Sequence, residues 1–124
     1  MPMTTTTPTV PDHKRGDVVL VLFPHSDLRT AKTRPALIVQ ADDLDTGLPQ
    51  VIVAMITSRM FRANHPSRMV VKLNTPQGRD SGLLADSVVM TDNLATITGL
   101  ALERVIGELP MKAVDKALKH TLGL

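Results

Sequence analysis

The chain has 124 residues, of which 43% are apolar and 21% charged, with two aromatic residues and no cysteine. This length and composition suit one compact domain with a hydrophobic core and argue against a disordered chain. The absence of cysteine excludes a disulfide framework, a thiol nucleophile and cysteine-ligated metal sites. No run reaches the roughly 18 apolar residues of a membrane span, and no signal peptide is evident, so we expect a cytoplasmic protein without a membrane partner.

The net charge of +2 is unevenly distributed along the chain. Residues 1–79 carry ten Lys or Arg against six Asp, whereas residues 80–124 carry four against six Asp or Glu. No acidic residue lies between Asp45 and Asp80, and a second stretch without acids covers residues 28–41. Such basic zones attract phosphate groups, although a pair of solvated basic loops would have the same composition.

The predicted elements are short and mainly β. Residues 1–13, rich in Thr and Pro at their start, predict a flexible N-terminal tail before a single domain over 14–124. Runs rich in β-branched residues, bounded by Gly, Pro and Asp, predict strands. These strands fall at 17–23, 35–40, 50–56, 68–73, 83–90 and 101–109, and NTPQGRDSG (74–82) is read as a turn.

The last segment has a helical period. After Pro110, the apolar residues Met111, Val114, Leu118 and Leu122 recur at three- and four-residue spacing. This spacing predicts an amphipathic C-terminal helix with Pro110 at its first position. Six strands and one helix predict a small barrel or sandwich covered on one side by the helix.

Few side chains carry the signature of a known chemistry. The four histidines show no metal-ligand spacing, so we predict no metal site and no cofactor. Two phenylalanines are too few for the stacking platforms of common single-strand RNA-binding domains. Any RNA recognition would therefore depend on Arg, backbone groups and hydroxyls.

Two local arrangements suit phosphate chemistry. Arg34 directly precedes a predicted strand, where its guanidinium can bind a phosphate through two hydrogen bonds. Thr57 and Ser58 end the next strand, and adjacent strands would bring these hydroxyls close to Arg34. A cation beside hydroxyl donors suits a developing phosphorane. The alternative is an ordinary surface Arg and hydroxyls that satisfy strand-end backbone groups.

Four segments in this order resemble a known family. They are GDVVLVLFPHSDLRTAKTRPALIVQ (16–40), VIVAMITS (51–58), GLLADSVVMTDNLATI (82–97) and IGELPMKAVDKALKHTLGL (106–124). They resemble the PemK/MazF (Kid-like) toxins of type II toxin–antitoxin systems. The resemblance implies an SH3-like small β-barrel (CcdB/Kid/MazF-like) with a C-terminal α-helix, which forms a homodimer. It also implies a metal-independent endoribonuclease, or mRNA interferase, that cleaves single-stranded RNA and is inhibited by a cognate antitoxin. Contact with DNA would be indirect, through the antitoxin complex.

The resemblance also assigns roles to residues. By position it implies Arg34 and Thr57 as catalytic residues, with Asp92 as the general base for attack of the ribose 2′-OH on phosphorus, which yields a 2′,3′-cyclic phosphate and a 5′-OH. Asp92 is equally compatible with capping a turn before Asn93. The residues expected to bind RNA are basic or hydroxyl side chains of the two basic zones: Arg29, Lys32, Ser58, Arg59, Arg62 and Arg68.

Some positions depart from the family pattern. Arg29 stands where the family often has Glu, Met90 where the Kid-like branch has a catalytic Arg, and Leu28 where it has a His. These departures leave open a catalytically weak or inactive protein that acts as an antitoxin-binding module. A CcdB-like gyrase poison is less favoured, because such proteins use a C-terminal Trp-Gly-Ile and this chain has no Trp.

Overall fold

The computed structural model describes residues 10–24 and 31–124, so most of the expected tail, and Arg29, lie outside it. The elements follow in this order: β1 (Asp17–Pro24), β2 (Ala31–Ile38), β3 (Gln50–Thr57), β4 (Arg68–Val71), α1 (Pro76–Asp80), β5 (Ser87–Thr98), β6 (Leu102–Glu108) and α2 (Lys112–Leu122). Single 3-10 turns cover Met60–Arg62 and Gly99–Ala101. The mainly β fold with a C-terminal helix is thus confirmed.

The strands form one antiparallel sheet in the order β4-β5-β3-β2-β1-β6. Within residues 10–24 and 31–124 no hydrogen-bonded ladder joins the edge strands β4 and β6, so the sheet is curled but not closed as a barrel. The turn after α1 nevertheless packs on β6. A Cβ added to Gly107 would lie 2.3 Å from the carbonyl carbon of Ser81. The backbone of the turn after α1 therefore contacts the backbone of β6, where a closed barrel would have a hydrogen-bonded ladder between β4 and β6.

Two strands, β2 and β5, differ from their predicted bounds by four or more residues at an end, and the other strands by at most two. β2 begins at Ala31 instead of residue 35, so Arg34 lies inside the strand and not before it. β5 begins at Ser87 and continues to Thr98, beyond the predicted end at residue 90. Its register with β3 jumps from Met90 to Leu94, which leaves residues 91–93 as a bulge that a period-two pattern does not reveal. The predicted turn at 74–82 contains helix α1.

The core occupies both faces of the curled sheet. One cluster packs under α2 and includes Val18, Leu37 and Val114, all with no exposed surface. The opposite cluster includes Val19 and Ala36, the neighbouring residues on the same two strands, as side-chain alternation requires. Helix α2 begins at Lys112, two residues after the predicted start at Pro110. Of the predicted apolar stripe, Val114 is buried, Met111 and Leu118 are partly buried, and Leu122 is exposed. No helix in the described part of the chain is long and apolar enough to cross a membrane.

Candidate functional site

Arg34 and Thr57 lie on neighbouring strands. Ala36 of β2 is opposite Met55 of β3. Continuing this register by two residues places Arg34 opposite Thr57, with both side chains on the same face because side chains alternate along a strand. The structure thus brings together the cation and the hydroxyl that the sequence singled out.

The two residues line a cleft of about 720 Å³. Its other polar side chains are Lys32, Thr33, Ser58, Arg59, Ser87 and Arg104. Four basic side chains thus surround the cleft, and its described lining contains no carboxylate. An anion that enters would meet several positive charges and no described negative charge in the wall, which favours a phosphate-bearing ligand.

Two features of the backbone open this cleft. Pro35 cannot donate a ladder hydrogen bond, and the pairing of β2 with β3 begins only at Ala36. The opposite wall is the segment 82–85, which is fixed against β6. Gly82 adopts a positive φ of 72°, and a Cβ there would lie 2.0 Å from the carbonyl oxygen of Ile106. Only glycine permits this close approach, so a local sequence requirement shapes the cleft.

Among the described residues, the hydrogen bonds leave Arg34 and the Thr57 hydroxyl proton available for a ligand. The backbone N–H of Arg59 donates to Oγ1 of Thr57 over 3.2 Å, which orients the hydroxyl and leaves its own proton to donate elsewhere. No carboxylate of the described residues lies within salt-bridge distance of Arg34, which is exposed. A guanidinium and a hydroxyl in this arrangement can both donate to the oxygens of one phosphodiester.

Asp92 lies outside this cleft. Thr57 is opposite Val88, and Asp92 is four residues further along β5, roughly 13 Å of extended strand. Its carboxylate accepts two hydrogen bonds from Arg68, from Nη2 at 2.8 Å and from Nε at 3.3 Å. The residue is part of a strand, so the alternative in which it caps a turn before Asn93 is wrong.

The electrostatics of Asp92 oppose a role as general base. The hydrogen bond from Arg68 lowers the pKa of Asp92 below its ordinary value of 3.8, outweighing the opposite effect of partial burial. A carboxylate that acts as a base near neutral pH needs a raised pKa. The ion pair makes Asp92 a weaker proton acceptor than an isolated carboxylate.

The remaining predicted RNA-binding residues separate into two groups. Lys32, Ser58 and Arg59 line the cleft, whereas Arg62 and Arg68 belong to the connection from β3 to β4 and the start of β4. Arg68 Nη1 donates to the carbonyl oxygen of Arg62 over 3.0 Å. Arg62 Nη1 lies 3.8 Å from Sδ of the buried Met90, one of the positions that departs from the family pattern.

Arg104 is a cleft residue that the sequence analysis missed. It lies on β6, opposite Leu20 of β1. Sequence position gave no signal for it, because only the curl of the sheet brings β6 to a cleft built mainly by β2, β3 and the 82–85 segment. Phe61 was also missed as a surface feature: its side chain is 79% exposed.

The comparisons with known proteins identify a family and a shared fold. Over residues 14–122 the chain matches the family model of the PemK-like, MazF-like toxin of type II toxin–antitoxin systems. Its fold is similar to that of the Mycobacterium tuberculosis toxin MazF-mt6, with 27% identity, 87% of this chain and 97% of that chain covered, and a TM-score of 0.67.

Two further solved structures share the fold. An endoribonuclease in complex with its cognate antitoxin from a mycobacterial species has 22% identity, 91% and 97% coverage and a TM-score of 0.69. The MazE–MazF complex from Deinococcus radiodurans (Form-II) has 21% identity, 94% and 98% coverage and a TM-score of 0.66. With the family model matched over nearly its whole length and a basic cleft in place, the chain belongs to the PemK-like, MazF-like toxins of type II toxin–antitoxin systems.

Proposed function

We propose that this toxin is a metal-independent endoribonuclease that cleaves single-stranded RNA in the cleft between Arg34 and the 82–85 segment. The observation that carries the proposal is that Arg34 and Thr57 line one cleft, whose described wall has four basic side chains and no carboxylate. Membership of the toxin family and the endoribonuclease activity named for a protein of the same fold support the same activity.

The proposed reaction is an internal transesterification. The ribose 2′ oxygen attacks the adjacent phosphorus, its proton passes to a general base, and the bond to the 5′ oxygen breaks as that oxygen takes up a proton. The products are a 2′,3′-cyclic phosphate and a 5′-OH. Arg34 stabilises the negative charge that builds on the phosphoryl oxygens, because a guanidinium binds them through two directed hydrogen bonds.

Hydroxyl groups complete the phosphate site. The Thr57 hydroxyl already accepts from the Arg59 backbone, so its proton points away and donates to a phosphoryl oxygen. Ser58 adds a second hydroxyl, and Lys32, Arg59 and Arg104 hold the flanking phosphates. Asp92, committed to Arg68, fixes the start of β4 and takes no proton in this scheme.

The proposal extends to partners. Solved complexes of similar folds contain an antitoxin, and a basic cleft suits an acidic antitoxin segment. We propose a cytoplasmic homodimer that a cognate antitoxin inhibits by covering this cleft. Contact with DNA arises only through the antitoxin complex. Sedimentation of the purified chain as a monomer at tens of micromolar would contradict the dimer.

The test is cleavage of long single-stranded RNA by the purified chain in EDTA, with primer extension to map the cuts and labelling by polynucleotide kinase to detect 5′-OH ends. Discrete cuts with 5′-OH ends are expected. No cleavage at micromolar enzyme, where an active toxin of the family cuts, would refute the activity. If the chain binds an antitoxin but does not cleave RNA, it is a binding module. If it inhibits the supercoiling of DNA by gyrase, it is a gyrase poison.

A further inference from the structure

Phe61 is an aromatic side chain displayed on the surface. It lies on the 3-10 turn Met60–Arg62 that follows β3, its ring is 79% exposed, and it is absent from both described core clusters. The guanidinium carbon of Arg62 lies 5.7 Å from the ring centroid, within the range of a cation–π contact. An aromatic face beside a guanidinium is the combination that binds unpaired bases in single-strand binding proteins.

The turn that carries this ring is held by several bonds. The backbone N–H of Arg62 donates to the carbonyl of Arg59, and that of Ala63 donates to Met60, both over 3.0 Å. Arg68 donates to the carbonyl of Arg62 and is itself held by Asp92. The backbone of such a turn loses little conformational freedom when a ligand stacks on the ring that it carries. The Arg68–Asp92 ion pair therefore helps to hold the turn that presents Phe61.

The ring lies a short distance along the chain from the cleft. Phe61 is four residues from Thr57, so at most about 14 Å of extended chain separates them. The stretch between Asp45 and Asp80 contains no acidic residue, and Arg59 links the cleft to the turn. Arg59 and Arg62 therefore offer positive charge to phosphates that pass from Thr57 towards this turn, and the nearby carboxylate of Asp92 is paired with Arg68.

We propose that Phe61, flanked by Arg62, is the stacking site for one unpaired base of the RNA strand next to the phosphate held in the cleft. The site binds the face of the base, so it accepts any of the four and contributes affinity more than sequence preference. The inference rests on the proposed ribonuclease function and names a subsite of it. It also refines the expectation that RNA recognition depends on polar groups alone.

The composition of the chain supplies a direct test. Because the chain has no Trp or Tyr, Phe61→Trp introduces a single strong fluorophore at the site. The probe is a mixed-sequence single-stranded RNA whose 2′ oxygens are methylated, which removes the nucleophile. We expect this RNA to quench the emission of the Phe61→Trp protein on binding. The matched control is Leu44→Trp, at a 49% exposed apolar side chain between Asp43 and Asp45, whose emission should not change.

Affinity measurements separate stacking from simple apolar contact. Phe61→Ala should weaken binding of the same RNA by about fivefold to 100-fold, the range of base–aromatic stacking. Phe61→Tyr should bind as the wild type does, and Phe61→Leu should resemble the Ala variant. Circular dichroism and thermal unfolding verify that the variants are folded, as expected for an exposed position.

Three results would overturn the stacking site: equal affinity of Phe61→Ala and wild type, an unquenched Trp emission at saturating RNA, or no binding of the methylated RNA by the wild type. Wild-type cleavage of ordinary RNA, measured in parallel, separates this failure from failure of the proposed function. If cleavage persists, only the stacking site is wrong. Quenching by an acidic peptide with none by RNA would assign the ring to a protein partner and overturn the inference.

Discussion

Two arginines on the same sheet, Arg34 and Arg68, differ in whether a described carboxylate is paired with the guanidinium. Arg34 of β2 lines a basic cleft opposite Thr57, and no described carboxylate pairs with it. Arg68 of β4 is held by both oxygens of Asp92 and by the nearby turn. A phosphate can bind Arg34 without displacing a described ion pair, whereas at Arg68 it would compete with a bidentate carboxylate. Availability of the guanidinium, more than residue type, distinguishes an arginine that can bind a phosphate from one that holds the fold.

The strongest test of this contrast is removal of the Arg34 side chain. Arg34→Ala should reduce RNA cleavage by about 10²- to 10³-fold, as loss of a donor to a developing oxyanion does in other enzymes. The cleavage rate of Arg34→Lys should lie between those of the wild type and Arg34→Ala, because Lys keeps the positive charge but cannot form the bidentate hydrogen bonds of Arg. Initial cleavage rates on a fixed RNA measure the effect. Arg79→Ala, at an exposed Arg on α1, is the matched control and should cleave as the wild type does. Undiminished cleavage by Arg34→Ala would remove it from the site.

Thr57 should show the second largest effect. Thr57→Val preserves the shape of the side chain but removes the donor to phosphate, and we expect cleavage to drop by about tenfold to 100-fold. Thr57→Ser should restore most of the activity because it keeps the hydroxyl. The same cleavage assay, run at saturating RNA, distinguishes a loss of turnover from a loss of binding. Equal rates for the Val and Ser variants would show that the hydroxyl plays no part.

Substitution of Asp92 should have a small effect on catalysis. Asp92→Asn should keep the cleavage rate within about threefold of the wild type, because the carboxylate is exposed to solvent, lies outside the cleft and is paired with Arg68. A general base at this position would instead make the Asn variant nearly inactive. The rate of Asp92→Asn is therefore the measurement that separates an ion-pairing role from a proton-accepting one.

The smallest expected effect is the contribution of the Asp92–Arg68 pair to the pH dependence of the free energy of unfolding. Arg68 lowers the pKa of Asp92 in the folded state below 3.8, so the pair favours the fold above the ordinary pKa. This contribution disappears as the pH falls through the lowered folded-state pKa. Urea unfolding at pH 7 should show the wild type slightly more stable than Asp92→Asn, and the difference should shrink towards pH 2. A difference that grows on acidification would contradict the pairing.

The parts of the site that sequence could predict are those that depend on local pattern. Arg34 and Thr57 flank apolar runs whose order along the chain already implied neighbouring strands. Helix α1 was readable as well, since Thr75 caps it and Pro76 occupies its first turn, but the surrounding Gly and Ser favoured a turn. The ion pair of Asp92 with Arg68 could not be predicted because the bulge at 91–93 has no periodic signature. Arg104 was missed because only the curl of the sheet brings β6 to the cleft.

The close contact of the 82–85 segment with β6 determines which residues of the cleft wall can be substituted without loss of the fold. Backbone contacts at Gly82 and Gly107 hold the segment against β6. The side chain of Leu84, which lines the cleft, is 97% exposed and does not pack in the core. Random replacement of Leu84 should therefore yield folded proteins almost without exception. A library of variants at this one position can therefore change the wall of the cleft without changing the stability of the fold.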